Sequence, residues 1–313
     1  MEKINCPICN NNKFKYLLTS QDNLYHIKSK FKLIQCTNCS LILTNPRPNQ
    51  KEIKKFYPQN YKPYKTNFKK VQTKIKFKQN FPILYKVINQ KDTLDVNINS
   101  KKNINVLEIG CGAGNFLYEL KLLHPKWNII GTDISQNNIK IINKNKIKSF
   151  CSNLTKLPIK SNTIDVIYGW MVLEHIHNIN QALSEIYRVL KKKNLFCFSI
   201  PNINSLDFKI FKKNWFALQL PTHLYHFTPS TITKLLNQHH FKIQKIIYQK
   251  TLANFFFSTQ IIINNSQLPI KIKKIINHLI IWNPIIHILT IPISILLSKL
   301  KQSGRITIIS QKL

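Results

Sequence analysis

The chain has 313 residues, enough for one large core plus one small module. Its 47 basic residues against 12 acidic ones give a net charge of +35, which invites an anionic partner. Only Arg47, Arg188 and Arg305 are arginine, however, and phosphate and base recognition favour the guanidinium fork. Heavy use of Lys, Asn, Ile, Phe and Tyr fits a chain drifting with an AT-rich genome, so the charge reads largely as a solvated lysine surface. That weakens the case for a nucleic-acid partner and leaves an anionic partner, lipid or nucleic acid, open.

In chain order, the first signal is a pair of C-x2-C motifs, Cys6-Pro7-Ile8-Cys9 and Cys36-Thr37-Asn38-Cys39, separated by 26 residues. Each pair can wrap one side of a metal, and two pairs complete a tetrahedral all-thiolate zinc site. Four protein ligands leave no open position, so such a zinc is structural. The rival reading is a redox dithiol. Glycine usually follows the second cysteine of such knuckles, whereas Asn10 and Ser40 stand here; Asn tolerates the left-handed conformation better than Ser. Cys111, Cys151 and Cys197 fall in apolar contexts and read as inert core thiols. The opening Met-Glu-Lys-Ile-Asn-Cys has no apolar signal core, so a cytoplasmic setting without disulfides is expected. The zinc module is expected over residues 1–45 and a lysine-rich helical linker over 46–100. A third unit is expected over 101–313, interrupted by an apolar helical insertion at about 250–302.

The third unit opens with Val106-Leu107-Glu108-Ile109-Gly110-Cys111-Gly112-Ala113-Gly114-Asn115-Phe116. Three of the chain's six glycines lie between positions 110 and 114, and so glycine-poor a chain concentrates them where backbone geometry demands it. Asn105 to Ile109 reads as a buried parallel strand, and Phe116 to Leu120 as helical. Strand, glycine turn and helix let backbone amides approach a bound cofactor closely. The spacing is G-x-G-x-G, and Asn115 replaces the third glycine of a dinucleotide fingerprint. A second apolar run, Trp127 to Thr132, ends in Asp133, a carboxylate placed to grip ribose hydroxyls. Thr163 to Gly169 reads as a further strand followed by Leu173-Glu174-His175-Ile176, and Ile200-Pro201-Asn202 closes another. Thr228-Pro229 opens a helix through about His240, Phe241 to Tyr248 reads as a strand, and Gly304 to Ser310 as the last one.

Taken together, these motifs closely resemble class I S-adenosylmethionine-dependent methyltransferases. The resemblance covers roughly residues 104 to 250 and includes Asn153-Leu154-Thr155-Lys156-Leu157-Pro158, Pro221-x-His223-Leu224 and Phe227-Thr228-Pro229. It implies an α/β Rossmann-like sheet. It further implies that Glu108, Gly110, Cys111, Gly112 and Gly114 face the methionine end of the cofactor, that Asp133 and Ile134 hold the ribose side, and that Asn153, Leu154 and Gly169 line the rest. Asn153 replaces the family's usual carboxylate at the adenine, which removes charge assistance from that contact. A zinc knuckle followed by Asn45-Pro46-Arg47-Pro48 and then this core resembles a subgroup that often acts on sugars, lipids or other cell-surface and secondary-metabolite precursors.

Methyl transfer to a hydroxyl needs alignment and loss of a proton. Histidine suits that task near neutral pH, which makes His175 and His223 the candidate catalytic residues. No Asn/Asp-Pro-Pro-aromatic turn follows the strand ending at Gly169-Trp170-Met171, which weakens an exocyclic-amine acceptor. The expected reaction is therefore oxygen methylation of a small molecule, a sugar or lipid-linked precursor. The alternatives are a zinc-assisted RNA methyltransferase and a non-catalytic zinc-dependent binding module. Ile275 to Ser298 carries no charge and is flanked by Lys273, Lys274, Lys299 and Lys301. Its length nears the roughly 20 residues that span a bilayer, but Asn283, Pro284 and Pro292 interrupt it. An apolar helical hairpin is expected there, serving as a substrate lid or seated peripherally on an anionic inner-membrane surface.

Overall fold

The structure, a computed structural model, describes residues 1–23, 27–57, 64–82, 85 and 103–313. Its larger sheet has seven strands in the order β10-β11-β8-β7-β4-β5-β6. They are β4 (Asn105–Ile109), β5 (Asn128–Asp133), β6 (Lys148–Cys151), β7 (Ile164–Trp170), β8 (Leu190–Pro201), β10 (Phe241–Tyr248) and β11 (Arg305–Lys312). The β6-β5-β4-β7-β8 run is parallel, in a register that sets Leu107 opposite both Ile130 and Ile167. Strands covered on both faces need continuous apolar runs rather than alternation, and Val106, Leu107 and Ile109 are fully buried. β11 runs antiparallel between β8 and β10.

From β4 the chain steps outward through β5 and β6, then returns to place β7 on β4's other side. The order therefore reverses between β4 and β7, and the crevice at their carboxyl ends is where open α/β sheets bind ligands. The helices include α1 (Phe68–Asn80), α2 (Asn115–Leu123), α3 (Gln136–Lys144), α4 (Ile179–Val189), α5 (Leu206–Phe211) and α6 (Pro229–Gln238). Thr228 caps α6 through a reciprocal capping box with Thr231, as the Thr-Pro start implies.

The smaller sheet is antiparallel, with β1 (Phe14–Asp22), β2 (Ile27–Cys36), β3 (Ile42–Thr44) and β9 (Tyr225–His226) in that order. Its last strand comes from the C-terminal half, so the cysteine-bearing module shares a sheet with the main unit. Leu41 and Leu43 belong to the same buried cluster as Leu107, Ile109 and Ile167. Arg47 bolts the joint. It is buried, donates to Glu2 Oε1 at 2.7 Å, to the Tyr225 hydroxyl at 2.9 Å and to the His177 carbonyl at 3.1 Å.

Within 46–100, a short 3-10 turn (Glu52–Phe56) and α1 are helical; residues 58–63, 83–84 and 86–100 of that expected linker lie outside the described residues. Lys74 of α1 meets both Glu119 carboxylate oxygens at 2.9 Å, and Phe68 stacks on Tyr118 at 4.4 Å. The linker helix thus lies on α2. Two expectations need correction. Cys151 is exposed rather than a core thiol, because β6 is the outermost strand and ends there. The apolar stretch is not a hairpin: Ile270–Ile281 and Ile285–Lys299 are bent by 50°. Asn283 accepts from Ile285 N at 2.9 Å and Pro284 starts a new helix, since proline cannot continue the preceding one.

That stretch comprises α7 (Ala253–Asn265), α8 (Ile270–Asn277), a π-helical turn (His278–Trp282), α9 (Pro284–Leu289) and α10 (Ile291–Lys299). Among the described residues, no single helix is long and apolar enough to cross a membrane. Much of it is exposed: among the described residues, 12 of the 20 exposed large apolar side chains lie between Ile262 and Leu300.

Candidate functional site

The turn after β4 adopts the conformation its glycines permit. Gly110, Gly112 and Gly114 have φ of +62°, +51° and +76°, values costly for a residue with a Cβ. A Cβ on Gly110 would sit 2.5 Å from Val172 Cγ2, so the segments after β4 and β7 approach closely. At the end of β5, buried Asp133 accepts from Gly112 N and Ser135 N, both at 2.8 Å. Burial raises its carboxyl pKa despite those amides. Glu108 is buried with Oε2 unpartnered among the described residues. Burial, and then the Asp133 charge, push its carboxyl well above the ordinary range. A buried orphan acceptor beside a second carboxylate suits a cationic or hydroxyl-rich ligand.

Cys111 is buried in the same turn, its amide donating to Thr132 O at 3.0 Å. Ile134, directly after Asp133, is 56% exposed and offers an apolar wall on that side. The Asn153 oxygen expected at the adenine already accepts from Thr155 N at 3.2 Å and Thr155 Oγ1 at 2.6 Å. Leu154 beside it is buried with φ +67°. Gly169 lies inside β7, where a Cβ would press on Ile109 Cγ1 at 2.9 Å, so its bareness serves strand packing. Asn115, at the place of the dinucleotide glycine, accepts from Asn67 N at 2.8 Å and donates to Lys65 O at 3.1 Å. It ties the linker over the turn, and Tyr64 feels both burial and the Asp133 charge.

Across the crevice the structure brings His175 and His223 together, with ring centroids 4.5 Å apart at 81°. His175 Nδ1 meets the Thr222 carbonyl at 2.9 Å and the Tyr57 hydroxyl at 3.2 Å; His223 Nδ1 meets the Ala217 carbonyl at 2.8 Å. Burial lowers the His175 pKa to about 4, and burial plus His175 hold His223 well below its usual range. Both are neutral at pH 7 and poor proton acceptors, because a general base works best with a pKa near the operating pH. The residue the sequence reading passed over is Glu174. It is fully buried and both carboxylate oxygens lack a partner among the described residues. Burial raises its pKa to about 8, partly offset by the dipole of its own amide and then by the Arg305 charge. Its place in Leu-Glu-His was visible; its burial depended on Leu224 N, which binds the Glu174 carbonyl at 2.7 Å from fifty residues on.

A second cluster gathers Cys6, Cys9, Cys36 and Cys39, whose sulfurs lie within 4.8 Å of one another. Cys6 and Cys39 are 3.3 Å apart, Cys9 and Cys36 3.5 Å, and none of the four is in a disulfide. Burial raises Cys6; at Cys36 burial is outweighed by the Cys39 amide and the Asn11 side chain, which bring it to about 6. Asn10 N and Ser40 N close the two turns onto Cys6 O and Cys36 O, and both residues are left-handed, at φ +53° and +69°. The glycine usually found there is therefore missed most at Ser40. Ser40→Gly is expected to raise stability by about 0.5–1 kcal/mol, relief of left-handed strain less the added chain entropy. A thermal midpoint unchanged or lowered would count against strain at this turn.

Residues 89–246 match the family described as Methyltransferase domain. An uncharacterized protein of Methanocaldococcus jannaschii, MJ0638, is 36% identical over 174 residues, 52% of this chain and 70% of that protein. The malonyl-[acyl-carrier protein] O-methyltransferase of Methylovorus is 27% identical over 105 residues, 30% of this chain and 36% of that enzyme. Among solved structures, a SAM-dependent methyltransferase from Archaeoglobus fulgidus overlays 77% of this chain and 93% of its own with a TM-score of 0.45 and 20% identity.

Proposed function

Belonging to the methyltransferase-domain family, the chain is an S-adenosylmethionine-dependent methyltransferase, and we propose that it methylates a hydroxyl of a small sugar or lipid-linked precursor. The observation that carries the reading is the left-handed glycine turn locked to Asp133 through Gly112 N. The remaining Asp133 acceptor capacity suits ribose hydroxyls, and Glu108 suits the cofactor's ammonium end. Ile134 offers apolar contact to the base, while Leu154 supports that side from beneath. When bound, S-adenosylmethionine supplies an electrophilic methyl group. The chain's own residues align the acceptor and exclude water, and the half-buried His175, with the buried His223 and Glu174 behind it, lines the acceptor side.

Calorimetry with S-adenosylmethionine tests the cofactor, and labelled methyl transfer into lipid and sugar extracts tests the acceptor. Absence of binding by folded protein would favour the non-catalytic module. Label appearing in RNA alone would favour the RNA reading. Zinc on Cys6, Cys9, Cys36 and Cys39 is the metal that an all-thiolate tetrahedral set selects.

Membrane proximity supports the lipid-linked acceptor. After Asp207 the chain has no acidic residue up to Leu313, yet it carries Lys271, Lys273, Lys274, Lys299 and Lys301 around the exposed α8–α10 apolar face. Such a patch marks an interaction surface, and each lysine near an anionic surface contributes roughly 1 kcal/mol. The protein is proposed to act at the cytoplasmic side of such a membrane. It is expected to cosediment with vesicles containing anionic lipid and to lose at least tenfold in binding at ~1 M salt, where the screening length falls to about 3 Å. Binding that survives salt and alkali would indicate a true span. Protein left in the supernatant throughout would remove the membrane from the proposal.

A further inference from the structure

We propose that Glu174, His175 and His223 form a second metal site, taking one divalent transition cation through two imidazole nitrogens and a carboxylate oxygen. One donor atom from each lies within 4.8 Å of the others, close enough for a single ion to reach all three. Two features separate this from a chance cluster. Each histidine has its Nδ1 against a backbone carbonyl, Thr222 for His175 and Ala217 for His223. That arrangement places the proton on Nδ1 and leaves the Nε2 lone pair as the ligand, the way metal-bound imidazoles are commonly oriented. Neither Nε2 makes a hydrogen bond among the described residues. The second feature is Glu174, fully buried with both oxygens unpartnered among those residues. A buried unsatisfied carboxyl costs about 1–3 kcal/mol or more, and a cation removes that cost.

The donor set distinguishes this centre from the cysteine cluster. Two imidazoles and one carboxylate suit zinc, iron(II) or manganese(II) with positions left open. Glu174 and His175 lie on the segment after β7, at the same carboxyl edge as the glycine turn, His223 comes from the loop before β9, and His175 alone of the three is partly exposed. Its open positions therefore take an oxygen donor, water or the acceptor's hydroxyl, and a bound cation increases the acidity of such a hydroxyl. That assignment supplies what two histidines of depressed basicity cannot. Only this last step rests on the methyltransferase reading; cation binding does not. Arg305 opposes it, since its charge reaches both Glu174 and His223.

The test uses full-length protein with the cysteine cluster saturated by zinc, titrated with Co2+ and followed by its visible bands. One further Co2+ per chain is expected, with ligand-field bands of nitrogen and oxygen ligation and no thiolate charge-transfer band. Glu174→Gln and His223→Ala are each expected to weaken it at least tenfold, and Arg305→Gln to tighten it several-fold. S-adenosylmethionine binding, measured on every variant, is expected to persist and reports folding. Failure of the wild type to bind a further Co2+ while it binds S-adenosylmethionine would overturn the metal site alone. Binding of Co2+ without S-adenosylmethionine would leave the site standing and remove the methyltransferase reading. Binding unaffected by Glu174→Gln, or weakened by Arg305→Gln in a folded variant, would also overturn the proposal.

Discussion

Cys36→Ser is expected to cost the protein one equivalent of zinc per chain and the order of roughly its first 45 residues. Structural zinc contributes on the order of 10–16 kcal/mol in small zinc-finger peptides, far more than the turn hydrogen bonds from Asn10 N and Ser40 N that close the two knuckles. Hydrogen exchange is expected to show protection lost in β1 and β2 while β4 to β8 remain protected. S-adenosylmethionine binding is expected to survive, because the glycine turn and Asp133 belong to the larger sheet. Elemental analysis that finds no metal in the parent protein, or an iron–sulfur absorbance, would end the zinc assignment. Loss of cofactor binding in the variant would mean that the β3–β9 pairing and Arg47 transmit disorder across the joint.

Asp133→Ala is expected to weaken S-adenosylmethionine binding by about 1.5–3 kcal/mol, the range for hydrogen bonds involving a charged group, or roughly ten- to 150-fold. The structure adds a second contribution of the same sign. Asp133 accepts from Gly112 N and Ser135 N at 2.8 Å, so its loss frees the turn as well as removing the proposed ribose contact. Asp133→Asn keeps one acceptor oxygen and is expected to fall between wild type and alanine. Calorimetry on the three proteins gives the order; equal affinities with an intact fold would take Asp133 out of the site.

Much of this was legible in residue order. A glycine-poor chain placing three glycines in five positions announces a turn that backbone geometry demands, and all three are left-handed. Thr228-Pro229, the run to Tyr248 and the strand near Gly304 translated directly into α6, β10 and β11, because caps and apolar runs are local signals. β6 was not read: it has four residues, begins with Lys148 and lies at the sheet's edge, so it carries little apolar pattern. Cys151 was misplaced for the same reason. Glu174 looked like one letter of a motif, and only the fold reveals that its side chain is sealed in without a partner. Nor could spacing show that Arg47 reaches Tyr225, 178 positions away.

Tyr248 at the end of β10 pairs with Ile306 near the start of β11. Adjacent antiparallel strands need only a two-residue connection, so everything from residue 249 to 304 is, in topological terms, one hairpin turn grown long. The entropy of closing such a loop rises only logarithmically with its length, about 0.6 kcal/mol per doubling. The sheet therefore tolerates almost any excursion at this point. The apolar, lysine-edged helices α8–α10 are such a graft, while α7 before them is tied to the main unit, Ser258 Oγ accepting from Phe216 N at 2.8 Å. Arg305, the first residue after the graft rejoins the sheet, is also the one whose charge reaches Glu174. The last of those helices ends at Lys299, so only five residues separate the lysine-edged segment from the arginine whose charge reaches Glu174.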